Sequence, residues 1–476
     1  MDTLPNFIDG RRVDSAAADS IDCLDPATGR PAFRIPAGDA RDVDAAVRSA
    51  HAAQPAWGAM PVAERSAVLH RALDEIAAHA DELAGIEAAE MGKPVSIGVP
   101  FIHGGVATMR DAADEAIDYE FRTQLKADGT GITDVMRTPV GVVGVIVPWN
   151  FPLAQTMVSI SGALAAGNTV VLKPSEKSSP SAIRFAEVLG LPPGVLNVVL
   201  GDRRAGVPLT EHPLVDLVHF TGSVAAGRQV GAATGGRLSR AILELGGKDP
   251  VIVDADVDVA ATAADIARGA FLNTGQICTS MERIYVHEAV AEELIAELVR
   301  LAGEEVMGSP TDPATTMGPL VDQAQREIVD RHVRDAVARG ARVLTGGAPH
   351  PGPGFFYPPT VVVDVDSSME LMRDETFGPV APIQVVSSFE EGVELARDSE
   401  YGLAMTVYSH APAHIELAAA SVPVGILWVN GWQGGDFERQ MEPAGMSGMG
   451  ATGRTLTLDA STRPTAIHYP SPVAGG

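Results

Sequence analysis

The chain has 476 residues, 46% hydrophobic and 20% charged, which supplies a large core, excludes a disordered protein and suggests two or three domains. With 61 acidic against 35 basic side chains the formal charge is −26, a surface that repels phosphate backbones and anionic lipid, so no nucleic acid and no membrane is expected as a partner. Two cysteines, Cys23 and Cys278, with no CxxC and no HExxH, leave neither a disulfide framework nor a zinc cluster, and no metal is expected.

The opening MDTLPNFIDGRR lacks the layout of a signal peptide. The longest apolar run, 140–147, is broken by glycines and far short of the roughly 20 residues that span a bilayer. A cytoplasmic protein is the expectation. Apolar residues at helical spacing, among them Val68, Leu69, Leu73, Ile76, Leu83 and Ile86, predict helices over 42–53 and 62–90, and 104–120 has the same character. From 141 onward short β-rich runs alternate with helices. Strands are predicted at 141–147, 169–172, 195–200 and 214–220, with helices at 153–166, 179–189 and 224–233. A second block follows, with strands at 251–253 and 283–287, helices at 257–271 and 289–302, and strands at 342–344, 360–365, 383–386, 406–408 and 425–429. Strands spaced by helices imply βαβ units and parallel sheets buried on both faces, in two α/β halves joined near 245.

Five segments carry chemistry. In FLNTGQICTS, Cys278 follows a predicted helix and precedes a strand, a turn where a thiol can meet a ligand; a structural cysteine is the alternative. In LELGGKDP, Glu244 stands between Leu243 and Leu245, where desolvation raises a carboxyl toward the range of a general base; a capping or ion-paired glutamate is the alternative. In VPWNFP, the Asn150 amide lies beyond a strand's carboxyl end and can donate to an oxyanion, or cap the helix that follows. The run FTGSVAAG opens a helix after a strand, and its amides and dipole suit a pyrophosphate. In LKPSE, Lys173 and Glu176 close a strand; a carboxylate there accepts from ribose hydroxyls and repels a 2′-phosphate.

PWNFP, LKPSE, FTGSxxxG, LELGGKDP, NTGQICTS, ETFGPV and YGLAMTVYS stand in the order and approximate spacing of the aldehyde dehydrogenase superfamily. The chain resembles that family from NFIDGRR near its start to PAGMSGMGATGR near its end. The resemblance implies an α/β fold of two doubly wound parallel-sheet domains with a small β oligomerisation arm. The NAD-binding domain would comprise 1–120 and 141–245, the catalytic domain 246–445, and the arm 121–140 and 446–476. It implies Cys278 as nucleophile, Glu244 as general base, and Asn150 with the Cys278 N–H as oxyanion hole. Lys173, Ser175 and Glu176 would hold the adenosine ribose, Gly222 and Ser223 the pyrophosphate, and Glu375 and Phe377 the nicotinamide end, with Trp149 and Gly246 lining the cleft. The reaction implied is NAD-dependent oxidation of an aldehyde to a carboxylic acid through a thiohemiacetal and a thioester, by a homodimer or homotetramer. Glu176 implies NAD rather than NADP.

Some positions depart from the family pattern. Ser159 stands where many relatives carry lysine, and Arg463 where a glutamate is common; the two often belong to a proton relay. The loop GWQGGDFERQME is about three residues longer than in many relatives. Gln155, Val158, Ile277, Thr279, Trp432 and Phe437 are the expected substrate-pocket residues. Their largely apolar character points to an uncharged aliphatic or aromatic aldehyde. Arg439 raises the alternative of a semialdehyde. A CoA-acylating enzyme is disfavoured by Glu244, and a silent binding protein by the presence of both Cys278 and Glu244.

Overall fold

In a computed structural model, which describes residues 1–128, 131–433 and 440–470, the short apolar runs after 140 become a parallel sheet. Its strands lie in the order Leu196–Val198, Thr169–Lys173, Val142–Ile146, Leu217–Thr221 and Arg240–Glu244. The middle three are buried at every residue, which is why they read as continuous hydrophobic runs. Alternate residues face opposite layers. Val142, Ile146, Val218, Phe220 and Leu243 pack with Val43, Val47, Leu209 and Val230. Val143, Val145, Leu217 and Ile242 pack with Met157, Ile160, Leu164 and Met109. Helices thus cover both faces of a doubly wound sheet.

The second sheet has seven strands, in the order Arg342–Thr345, Thr360–Val363, Val380–Val386, Met281–His287, Asp249–Val253, Ala404–Tyr408 and Ile426–Val429. All neighbours are parallel except Arg342–Thr345, which runs antiparallel at one edge. Helices Val259–Phe271 and Glu288–Ala302 cover one face and Gln323–Ala338 and Phe389–Arg397 the other. A smaller antiparallel sheet joins Thr462–Pro470, Gly131–Pro139 and Arg122–Asp128. Leu125, Ile132, Met136 and Tyr469 are exposed on it.

Several elements differ from the sequence expectation. The helix expected over 62–90 is two, Val62–Ala78 and Ala80–Met91, because the chain turns at His79 without a glycine or proline to mark it. Arg240–Glu244, a five-residue strand with a charge at each end, lay outside the expected strands, as did the hairpin Asn6–Ile8/Arg11–Val13 at the opposite edge of that sheet. The segment expected to form the arm beyond 446 divides. Gly448–Met449 pairs antiparallel with Arg240–Glu244, helix Arg454–Ala460 packs on Val95–Asp118 and Pro152–Ala165, and only then does the arm strand begin. Among the described residues no helix is long and apolar enough to cross a membrane.

Candidate active site

The strand order of the first sheet reverses beside Val142–Ile146, and the crevice beyond the carboxyl ends at such a point is where open α/β sheets bind ligands. The turn 147–151 leaves that strand and enters helix Pro152–Ala165, with proline in the first turn where its missing N–H costs nothing. A buried ion pair underpins the turn. Lys93 and Glu87 lie 2.7 Å apart, the Lys93 ammonium sits 4.8 Å over the Phe151 ring, and Glu87 accepts from the Leu153 N–H at 3.0 Å.

The Cys278 loop is tied to this turn. Helix Val259–Phe271 ends in a tight turn whose Asn273 and Thr274 have φ of 50° and 60°, followed by Gly275 at 68°. Left-handed backbone at two non-glycine residues is strain that the surroundings must hold. They do so with side-chain amides. Asn273 Nδ2 donates to the Asn150 carbonyl at 3.1 Å, Gln276 Nε2 to the Asn273 carbonyl at 3.1 Å, and Gln276 Oε1 accepts from the Val321 N–H at 2.9 Å. Asn150 Nδ2 in turn donates to the Gln276 carbonyl at 3.0 Å, two residues before the thiol. Burial pushes the Cys278 thiol up to about 12, with Asp249, Glu375 and Glu244 adding repulsion.

Glu244 ends its strand opposite Gly448. A side chain at Gly448, whose φ is 142°, would collide with the Leu243 carbonyl, so only glycine lets the edge strand lie this close. Burial raises the Glu244 carboxyl to about 8, opposed by a 3.4 Å hydrogen bond from Thr452 Oγ1. Cys278 and Glu244 line one cavity of about 900 Å³. Gln155, Val158 and Thr279 line it too, as expected, together with His219, Leu403 and Ile426, which the sequence did not single out. Asp111, Asp114, Glu115 and Asp118 line one side of it, with Arg454 3.4 Å from Glu115.

Ile277 and Trp432 are elsewhere, buried in the core of the second sheet. The Trp432 indole N–H donates to the Thr279 carbonyl at 2.9 Å and its backbone N–H to Asp265 at 2.6 Å, so it braces the residue after the thiol. Phe437 and Arg439 lie outside the described residues. Arg463 is exposed on the arm strand, and Ser159 is buried with its hydroxyl unpartnered.

The expected cofactor residues gather along the crevice. Ser223 caps helix Val224–Arg237, accepting from Ala226 N–H at 3.3 Å, and leaves that helix N-terminus exposed beside Gly222. Ser175 caps the turn Glu176–Ser178. The Lys173 ammonium donates to the Pro174 and Gly201 carbonyls at 2.6 and 2.8 Å, so one of its three N–H groups is left for a ligand. Trp149 and Phe377 meet edge to face at 5.5 Å. Glu375 is turned onto Gly246, where a side chain would collide with its carboxylate, and accepts from Gly247 N–H at 3.1 Å. Burial raises its carboxyl to about 8. A free helix N-terminus, a spare ammonium proton and a half-buried carboxylate at Glu176 along one crevice fit a dinucleotide.

A dinucleotide crevice opening onto a cavity that holds a cysteine and a buried glutamate defines a cofactor-dependent oxidoreductase. Residues 13–467 match the model of the aldehyde dehydrogenase family, and the chain belongs to that family. It is 37% identical to the NADP/NAD-dependent aldehyde dehydrogenase PuuC of Escherichia coli, over 97% of this chain and 94% of that one. It is 36% identical to 2-hydroxymuconic semialdehyde dehydrogenase of a Pseudomonas species, over 97% and 98%. Its fold superposes on indole-3-acetaldehyde dehydrogenase complexed with NAD⁺ with a TM-score of 0.95, at 34% identity and covering 99% and 97% of the two chains. The protein is an NAD-dependent aldehyde dehydrogenase, with the α/β fold that its motifs implied.

Proposed function

We propose that Cys278 is the nucleophile, Glu244 the general base and Asn150, with the Cys278 N–H, the oxyanion hole. The observation that carries this reading is the shared cavity of Cys278 and Glu244, with the Asn150 amide bonded to the loop that holds the thiol. Burial holds Cys278 as the thiol, so it first gives up its proton to water in the cavity; the sulfur then adds to the aldehyde carbon, and the negative oxygen that forms is met by donors already fixed in place. Bound NAD⁺ supplies the acceptor for the hydride that leaves that carbon. Glu244 then takes a proton from water, whose oxygen attacks the thioester and releases the carboxylic acid and the Cys278 thiolate. With its carboxyl raised to about 8 by burial, Glu244 is a stronger base than an exposed glutamate. Lys173, Ser175, Glu176, Gly222, Ser223, Gly246, Trp149, Glu375 and Phe377 would hold the cofactor, and the carboxylate of Glu176 favours NAD over NADP.

The substrate reading is an uncharged aliphatic or aromatic aldehyde. Val158, Leu403 and Ile426 offer apolar wall, and although Arg454 pairs with Glu115 at 3.4 Å, Asp111, Asp114 and Asp118 leave this side of the lining net negative, which disfavours a carboxylated semialdehyde. NADH formation with propanal, benzaldehyde and succinic semialdehyde tests this. Higher kcat/KM on the two neutral aldehydes is expected, and a preference for the semialdehyde sinks the substrate assignment. We further read 1–120 with 141–245 as the NAD-binding domain, 246–445 as catalytic, and 121–140 with the Thr462–Pro470 strand of 446–476 as an arm that pairs copies into a homodimer or homotetramer in the cytoplasm. The exposed apolar residues of the arm support pairing, and a monomeric mass in solution would refute it.

A further inference from the structure

His219 has no part in the roles above. It is 4% exposed and stands on strand Leu217–Thr221, on the face shared with Thr221 and, across the ladder, with Ile242 and Glu244. The register pairs His219 with Ile242 and Thr221 with Glu244, so His219 is the diagonal neighbour of the base, ~8 Å away between Cα atoms from ordinary strand rise and spacing. Both side chains line the cavity that contains Cys278. With both side chains lining the cavity, a water between them can bond to each.

The imidazole is oriented. Its Nδ1 lies 3.2 Å from the Ser159 carbonyl oxygen, which can only accept, so Nδ1 carries the proton and Nε2 presents a lone pair. Among the described residues Nε2 has no hydrogen-bond partner, and the ring borders the cavity. Burial pushes the imidazole down to about 4, which keeps it neutral near neutral pH and preserves the acceptor. Ser159 contributes only its backbone, since its hydroxyl is buried without a partner. The residues around His219 on this face, Leu217 and Ile242, are apolar core. Packing alone therefore gives no reason for a buried ring with an open acceptor, which carries a desolvation cost.

We propose that Nε2 of His219 accepts a hydrogen bond from the water that Glu244 deprotonates, aiming it at the thioester on Cys278. One proton of the water goes to Glu244, the water oxygen bonds to the acyl carbon, and the C–S bond breaks to return the Cys278 thiolate. The second proton stays on the water oxygen, hydrogen-bonded to Nε2 during the attack, and leaves with the carboxylic acid. His219 is a positioning residue for hydrolysis, and it has no part in forming the thioester. The inference rests on the reading of Cys278 and Glu244 as nucleophile and base.

The test uses the full chain and p-nitrophenyl acetate, an activated ester that acylates a nucleophilic cysteine without cofactor or aldehyde. The nitrophenolate burst reports acylation and the steady rate reports hydrolysis. His219→Leu is expected to keep the burst while its steady rate falls about ten- to a hundredfold, the scale of a misaimed reactant. In His219→Gln an amide oxygen can take the place of Nε2, and the steady rate is expected to recover. Should the leucine variant fail to melt cooperatively, His219→Ala carries the same comparison. The proposal is overturned by a burst that falls in step with the steady rate, by no change in either, or by a glutamine variant as slow as the leucine one. Cys278→Ala and Glu244→Gln run alongside separate the two failures. A burst that survives the first, or a normal steady rate in the second, condemns the underlying reading rather than the role of His219.

Discussion

The two large sheets contribute to the proposed site through opposite ends of their strands. The first presents the carboxyl ends of its strands, with Asn150 beyond Val142–Ile146, Gly222 and Ser223 beyond Leu217–Thr221, and Glu244 closing Arg240–Glu244. The second presents amino ends, with Cys278 before Met281–His287, Glu375 before Val380–Val386 and Leu403 before Ala404–Tyr408. The helix N-terminus capped by Ser223 and the open donor of Lys173 sit on the first sheet's side, as expected for holding an anionic ligand. The second sheet's side holds left-handed backbone next to the thiol, at Asn273, Thr274 and Phe377. On the proposed reading, binding uses a crevice that the topology provides, whereas the thiol needs a turn kept in place by amide side chains.

The comparison predicts that damage to the second sheet's loop stops the chemistry while cofactor binding survives. Cys278→Ala should lower aldehyde oxidation by about four orders of magnitude or more and leave NAD⁺ binding, read by calorimetry, nearly unchanged. Surviving oxidation would move the nucleophile elsewhere. Glu244→Gln, on the first sheet, should spare the first turnover of NADH and slow later ones about a hundredfold or more; a missing burst would give this residue a part in acylation.

The buried pair beneath the turn gives a structural contrast. Glu87→Ala strands the Lys93 ammonium and frees the Leu153 N–H, a loss of about 3–5 kcal/mol in chemical denaturation. A change below 1 kcal/mol, the scale of a surface pair, would mean the pair is not dry. Smaller still, Glu176→Gln should raise the NADP⁺ to NAD⁺ specificity ratio about three- to tenfold, because one repulsive charge at a partly exposed site is worth about 1 kcal/mol. An unchanged ratio would remove Glu176 from the cofactor site.

The smallest effect concerns pH. Glu244 acts as its carboxylate, so turnover should rise with pH through about 8. Thr452 lowers that carboxyl through its hydrogen bond, hence Thr452→Val should shift the rise upward by about 0.7 pH unit, given roughly 1 kcal/mol per bond. A downward shift would show that Thr452 does not stabilise the charged form.

Most of the framework was legible in the sequence because buried parallel strands are continuous apolar runs, and Val142–Ile146 or Thr169–Lys173 could hardly be read otherwise. Collinear motifs singled out Cys278, Glu244 and Asn150, and the structure brings the first two to one cavity. Arg240–Glu244 was not read as a strand, since with a charge at each end and a half-buried start it lacks the continuous apolar run of its neighbours, and its edge partner Gly448–Met449 lies some two hundred residues on. For the same reason Thr452 was missed, and so was His219, an unremarked residue inside an apolar run whose neighbour across the ladder is distant in sequence. Trp432 was expected in the pocket because an aromatic near a long loop suggests a wall. Its N–H groups instead find Asp265 and the Thr279 carbonyl, which turn it inward.

The edge strand Gly448–Met449 also sets an order of events. A ribosome delivers the strand bearing Glu244 long before the segment that closes its edge and supplies Thr452. Until that segment emerges, the Leu243 and Glu244 backbone has an open flank, and the neighbouring Leu245 N–H lacks the Ser447 carbonyl it later donates to at 2.8 Å. The first sheet can fold as the chain appears, but the base acquires its final surroundings only near the end of translation. A nascent chain stalled before 447 would therefore hold a nearly complete cofactor crevice beside an unfinished hydrolytic site.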